Sequence, residues 1–154
     1  MKTKISVILI LVALLFSNKS YSHCEIPCGI YGDSLRIAMI AEDITTIEKS
    51  MNEIVALSQD KSVNYNQLVR WVNNKEEHAN KIQAIVSDYF LHQRVKIQDP
   101  SNGEAYAKYI QQLTLLHKLA VYAMKAKQTT DLENVKLLRQ TLDEFDHLYF
   151  HKHE

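Results

Sequence analysis

At 154 residues, with 46% hydrophobic content, the chain is sized for one domain with a core of its own. Its 18 acidic residues balance its 18 basic ones, which argues against nucleic acid or any other polyanion as a partner. Its two cysteines, Cys24 and Cys28, make a single pair whose chemistry has to be read from its surroundings.

The first element is a leader. Lys2 and Lys4 open the chain, Ile5 to Phe16 is apolar but for Ser6, and Ser20-Tyr21-Ser22 sets small residues at the two positions a signal peptidase reads. This predicts a signal peptide over 1–22, cut after Ser22. The apolar run is shorter than the roughly 20 residues that span a bilayer, so the expected product is exported to the periplasm or beyond the cell, with no membrane attachment after cleavage. Its domain runs over 23–154 and begins at His23.

The next segment is His23-Cys24-Glu25-Ile26-Pro27-Cys28-Gly29-Ile30-Tyr31. A cut before His23 gathers a free amine, an imidazole, the amide of Cys24 and two thiols at one end of the chain. The amine of His23 and the amide and sulfur of Cys24 lie in adjoining chelate rings, and Pro27 fixes the bend that returns Cys28. Two nitrogens and two sulfurs in a plane suit Ni(II) or Cu(II), whereas zinc prefers a tetrahedron. The His23 imidazole stands where it can bind axially. The same two cysteines in an exported protein also suit a disulfide, and at this point both readings stand.

Helices follow. Ile37, Ile40, Ile44, Ile47, Met51 and Ile54 alternate in steps of three and four, predicting a helix from about Ser34 to Gln59, with Asp33 or Ser34 as N-cap. A second begins near Asn64 and carries Leu68, Trp71, Val72, Ala79, Ile82, Ile85, Val86, Tyr89 and Phe90. A third follows Asp99-Pro100-Ser101-Asn102-Gly103, with Ser101 and Glu104 spaced as a capping box and Tyr109, Leu113, Leu116, Ala120 and Met124 on its apolar face. Thr130 and Glu133 repeat that spacing before a fourth helix bearing Val135, Leu138, Leu142, Phe145 and Leu148. Short connections between four such helices predict an all-α, up-down-up-down bundle over 34–150.

Other chemistry fits less well. C-type haem attachment needs a shorter cysteine spacing followed by His, and ferritin-like di-iron sites need more than the lone Glu144–His147 pair. His147, His151 and His153 read as a solvated chain end, and His117 as a half-buried packing residue. His78 and His92 have no partner visible in sequence.

The string His-Cys-x-x-x-Cys-Gly-x-Tyr, with Pro before the second Cys, resembles the nickel hook of the nickel superoxide dismutases. Ser87-Asp88-Tyr89-Phe90 repeats a second short string of that family, late in the second helix. Helix order and length are similar as well, so the resemblance covers essentially 23–154. It implies an N-terminal metal-binding hook (23–31) holding one nickel per subunit through His23, Cys24 and Cys28, and an oxidoreductase converting superoxide to dioxygen and hydrogen peroxide by Ni(III)/Ni(II) cycling. It implies that Tyr31 and Tyr89 position superoxide and water, that the chain forms a homohexamer, and that a processing peptidase and a nickel-delivery factor act on it. The family's carboxylate and arginine behind the axial imidazole fall near Met39 or Ile40 and near Asn74 in this chain; those roles are not carried over, and Glu42 is a substitute candidate. The alternative function is a non-enzymatic periplasmic protein that binds metal with the same donors.

Overall fold

The computed structural model describes Glu25 and residues 27–150. The leader, His23, Cys24, His151 and His153 lie outside the described residues. Among those described there are four α-helices: α1 (Asp33–Ser58), α2 (Tyr65–Ala84), α3 (Gly103–Gln128) and α4 (Glu133–Phe150), with a π-helical segment, Ile85–Arg94, continuing α2. Each α-helix packs against its sequence neighbour, and α1 closes the ring against α4. This is the expected all-α bundle. No helix among the described residues is long and apolar enough to cross a membrane.

The three-and-four stripe of α1 is why it packs: Ile40, Ile44 and Ile47 are fully buried and Met51 nearly so. The predicted face of α4 is buried at all five positions, Val135, Leu138, Leu142, Phe145 and Leu148. The face of α3 is turned from the expected one. Leu115, Leu116, Leu119, Ala123 and Ala126 form its core side, Tyr109, Leu113 and Ala120 only flank it, and Met124 is exposed. That rotation puts His117 in solvent rather than in the half-buried position expected of it.

Helix ends also differ from the sequence reading. The second helix begins next to Asn64 as expected, and Asn64 caps it, its Oδ1 accepting from the Gln67 amide at 3.2 Å. Ser101 instead turns back to Asp99, to whose Oδ1 its amide (2.8 Å) and hydroxyl (2.5 Å) both donate, so no capping box forms with Glu104. At α4 the acceptor is Asp131, one residue beyond Thr130, whose Oδ1 takes the Glu133 amide at 3.0 Å. The second helix does not run to Phe90 in one conformation. It widens at Ile85, and the Val95 amide reaches back five residues to the Phe90 carbonyl at 2.8 Å, the wider closure of a π turn.

Two charged side chains, Lys75 and Asp43, lie in the interior among the described residues. The Lys75 ammonium donates to the carbonyls of Ala126 (3.0 Å), Lys127 (2.5 Å) and Thr129 (3.1 Å), satisfying acceptors that the end of α3 leaves open. Burial pushes the Lys75 amine below its ordinary value.

Candidate metal centre

The segment leading into α1 has no regular secondary structure from Pro27 to Gly32. Its sharpest feature is Gly29 at φ +82°, a left-handed conformation costly to any residue with a Cβ. Space around Gly29 is open, so the requirement for glycine is in the backbone alone. The turn directly follows Cys28, whose thiol is free and exposed.

The chain is tied down just beyond it. Asp33, read from sequence as a candidate N-cap, is instead the first helical residue; Gly32 holds the cap position without any side-chain cap bond. The Asp33 carboxylate is taken by distant partners. Arg94 donates from Nε to Oδ1 (2.8 Å) and from Nη2 to Oδ2 (2.7 Å), a two-pronged pairing with planar complementarity. Tyr149 donates to Oδ2 at 2.8 Å, and the Tyr89 hydroxyl donates to Oδ1 through a short bond. The Tyr89 oxygen also accepts the Gly32 amide at 2.9 Å, pinning the loop itself.

These contacts set the charges. Burial works to raise the Asp33 carboxyl, but bonds from Arg94, Tyr89 and Tyr149 outweigh it and hold it below the ordinary carboxylate value. Burial, then the adjoining Asp33, pushes the Tyr149 phenol up to about 12 and the Tyr89 phenol upward as well. Asp33 therefore stays ionised and both phenols stay protonated across the neutral range.

Aromatic rings carry this anchor from loop to core. Tyr31 and Tyr89 meet edge to face with centroids 6.0 Å apart, Tyr89 meets Phe90 at 5.1 Å, and Phe90 meets Phe145 at 5.0 Å. The Arg94 guanidinium lies 4.2 Å from the Tyr31 ring centroid and that of Arg36 lies 5.0 Å from the Tyr89 ring centroid. Pro27, Arg36, Ala84, Ile85, Asp88 and Tyr89 line a recess of about 160 Å³ beside the loop.

Of the five residues picked out from sequence, His23 and Cys24 lie outside the described residues, while Cys28, Tyr31 and Tyr89 fall at the same end of the bundle. Tyr31 is 41% exposed and Tyr89 only 3%, so the two rings in contact face different surroundings. Glu42 is exposed, and Asn74 donates to the Ser50 hydroxyl at 2.9 Å. The nearby buried carboxylate is Asp43, paired with His78 Nδ1 at 2.6 Å. His92 Nδ1 lies 3.1 Å from each Glu25 carboxylate oxygen. His147, with Glu144, borders a different cleft between α3 and α4. Sequence reasoning missed Asp33 as an anchor and missed Arg94 and Tyr149 altogether; the sole local signal was an acidic residue next to the hook string.

A family model described as nickel-containing superoxide dismutase matches residues 18–153. The chain belongs to that family. Membership makes it an oxidoreductase acting on superoxide with nickel as cofactor, and sets aside the non-enzymatic alternative. Comparison with curated proteins and with solved structures gives no match. The described part of the site fits the cofactor: Cys28 offers an exposed soft sulfur on a turned backbone, the donor type that selects nickel or copper over magnesium or calcium.

Proposed function

We propose that the chain is exported, that cleavage before His23 creates its working N-terminus, and that nickel is held there by the His23 amine and imidazole, the Cys24 amide and thiolate, and the Cys28 thiolate. The observation that carries the reading is the joining of the Cys28 turn, through Tyr31, Gly32 and Asp33, to a half-buried Arg94–Tyr89–Tyr149 anchor in a chain of this family. When bound, nickel supplies a Ni(III)/Ni(II) couple that takes one electron from superoxide and returns one to a second superoxide, which leaves as hydrogen peroxide with two protons.

The chain's own residues hold the hook and shape the approach of a small anion. Tyr31, exposed and stacked on Arg94, is placed to orient superoxide or water with its hydroxyl. Tyr89 is the positioning residue behind it, since its one hydroxyl proton goes to Asp33. Arg94 is neutralised by Asp33 yet lies against the Tyr31 ring, fixing that ring without adding a free charge at the loop. A homohexamer would bury more of the exposed apolar residues near the hook, Ile30 and Leu35.

Metal analysis of natively purified protein, run beside a superoxide dismutation assay, tests the reading. One nickel per mature chain with turnover is expected; active protein holding copper or zinc and no nickel overturns it. A second expectation concerns Tyr31→Phe. Nickel content should stay near one per chain, while saturation by superoxide or inhibition by small anions shifts roughly two- to tenfold, the worth of one hydrogen bond. Loss of nickel in that variant would make Tyr31 a structural support instead.

A further inference from the structure

We propose that Glu25, Asp88 and His92 form a second divalent-cation site, made of oxygen and imidazole donors, that takes up nickel before the thiolates do. The second half of this statement rests on the hook reading above; cation binding by the three side chains does not.

Each of the three offers one ligand atom, and those atoms all lie within 4.8 Å of one another. Bonds from a first-row divalent ion to carboxylate oxygen or imidazole nitrogen are about 2.0–2.2 Å, which sets three donors on one ion about 3–3.6 Å from one another. Closing the remaining gap takes at most about 1–2 Å, shared between the two side chains of a pair. The groups are free to make it: the His92 side chain is 58% exposed and that of Glu25 is 29% exposed.

The donors are already sorted for the task. Asp88 and His92 stand four residues apart on the π-helical segment, and the Glu25 carboxylate straddles His92 Nδ1. Ser87 donates to Asp88 Oδ1 through a short bond and Gln93 Nε2 donates to the Asp88 carbonyl at 2.8 Å, which steadies the residue and leaves Oδ2 open. The Arg36 guanidinium, which borders the same recess as Asp88, rests over the Tyr89 ring and bonds the Met39 sulfur at 3.7 Å. Two carboxylates and a neutral imidazole carry two negative charges toward a divalent ion.

Chemistry separates this site from the hook. Carboxylate and imidazole take Mn(II), Co(II), Ni(II) and Zn(II), with affinity rising from Mn(II) through Co(II) to Ni(II), and exposed ligands release an ion readily. Thiolates bind the softer ions tightly and are open to oxidation until capped. Glu25 adjoins Cys24 in sequence, so an ion captured by Glu25 is one residue along the chain from a proposed hook donor.

The test uses the mature chain with Cys24→Ser and Cys28→Ser, Co(II) as probe, equilibrium dialysis, and the visible ligand-field spectrum. Circular dichroism checks that each variant is folded. Any binding by His23 is common to every variant compared. Adding His92→Ala or Asp88→Asn should weaken Co(II) binding by tenfold or more and remove its ligand-field bands; unchanged binding in both overturns the site. With both cysteines present, nickel entry is followed by thiolate-to-nickel absorption. His92→Ala and Asp88→Asn should slow it severalfold at limiting nickel while reaching the same end point. Equal rates overturn the uptake role. Absence of any thiolate band in the parent chain counts against the hook reading and leaves the Co(II) result standing.

Discussion

Replacing Cys28 by Ser should abolish dismutase turnover and leave the bundle intact. Serine offers a hard, weakly acidic oxygen where nickel needs a soft, electron-rich donor, so both affinity and redox potential are lost together. The loss should exceed the roughly 10–100-fold that removing a supporting, non-ligating residue costs at a metal site. Stability should scarcely move. The Cys28 side chain is exposed and outside the core, whereas each buried Ile or Leu, such as Ile44 or Leu116, contributes roughly 1.5–3 kcal/mol by leaving water. Nickel content, superoxide turnover and far-ultraviolet circular dichroism measured on one preparation check all three statements. Turnover within tenfold of the parent would remove Cys28 from the ligand set.

Asp33→Ala should have the largest effect of any change in the polar anchor beside the hook. It leaves the Arg94 guanidinium without its carboxylate and strips bond partners from Tyr89 and Tyr149. Removing one member of a half-buried pair of this kind costs about 2–4 kcal/mol, or roughly 10 °C in Tm for a domain of this size. The pH dependence has a definite sign. Because Asp33 titrates below the ordinary carboxylate value of 3.8 in the folded protein, its contribution is complete above that value and is lost as pH falls through the lower folded one. Tyr149 is raised from 10.0 to about 12, so its contribution is complete below pH 10 and is lost as pH rises toward 12. In Asp33→Ala the acid loss should be smaller than in the parent, and the Tyr149 phenolate should appear closer to pH 10. Chemical denaturation across pH and phenolate absorbance report the two. A Tyr149 titration unchanged by the substitution would show that burial alone sets it.

The parts of this molecule legible in sequence are those governed by near neighbours along the chain. The stripe from Ile40 to Met51 has one apolar face and one solution, and α4 is similar. On α3 the residues Leu113, Leu115, Leu116, Leu119, Ala120, Ala123 and Met124 are apolar over more than half the circumference, so spacing alone does not fix the angle that faces the core. The π-helical widening was hidden because Ile82, Ile85, Val86, Tyr89 and Phe90 keep the three-and-four spacing of an α-helix straight through it. Asp33 shows the deeper limit. An acidic residue at a helix start reads as a local cap, but Arg94, Tyr89 and Tyr149 lie 61, 56 and 116 residues away, and only the closed ring of helices brings them to it. Lys75 reads as a solvent-facing charge until the open carbonyls at the end of α3 are placed against it.

The family resemblance was legible because the string that carries most of it is contained within nine residues, and the family match agrees with that resemblance. Its meaning depends on one covalent event. In the proposed ligand set a free amine at His23 binds nickel, while the same nitrogen within a peptide bond would have lost its basic lone pair and the imidazole its chelate position. The most direct measurement therefore compares protein beginning at His23 with protein carrying one additional N-terminal Ala, assayed for superoxide turnover under equal nickel loading conditions. The account predicts full activity in the first and loss of nearly all of it in the second, with equal helix content. Full activity in the extended protein would contradict the proposed ligand set.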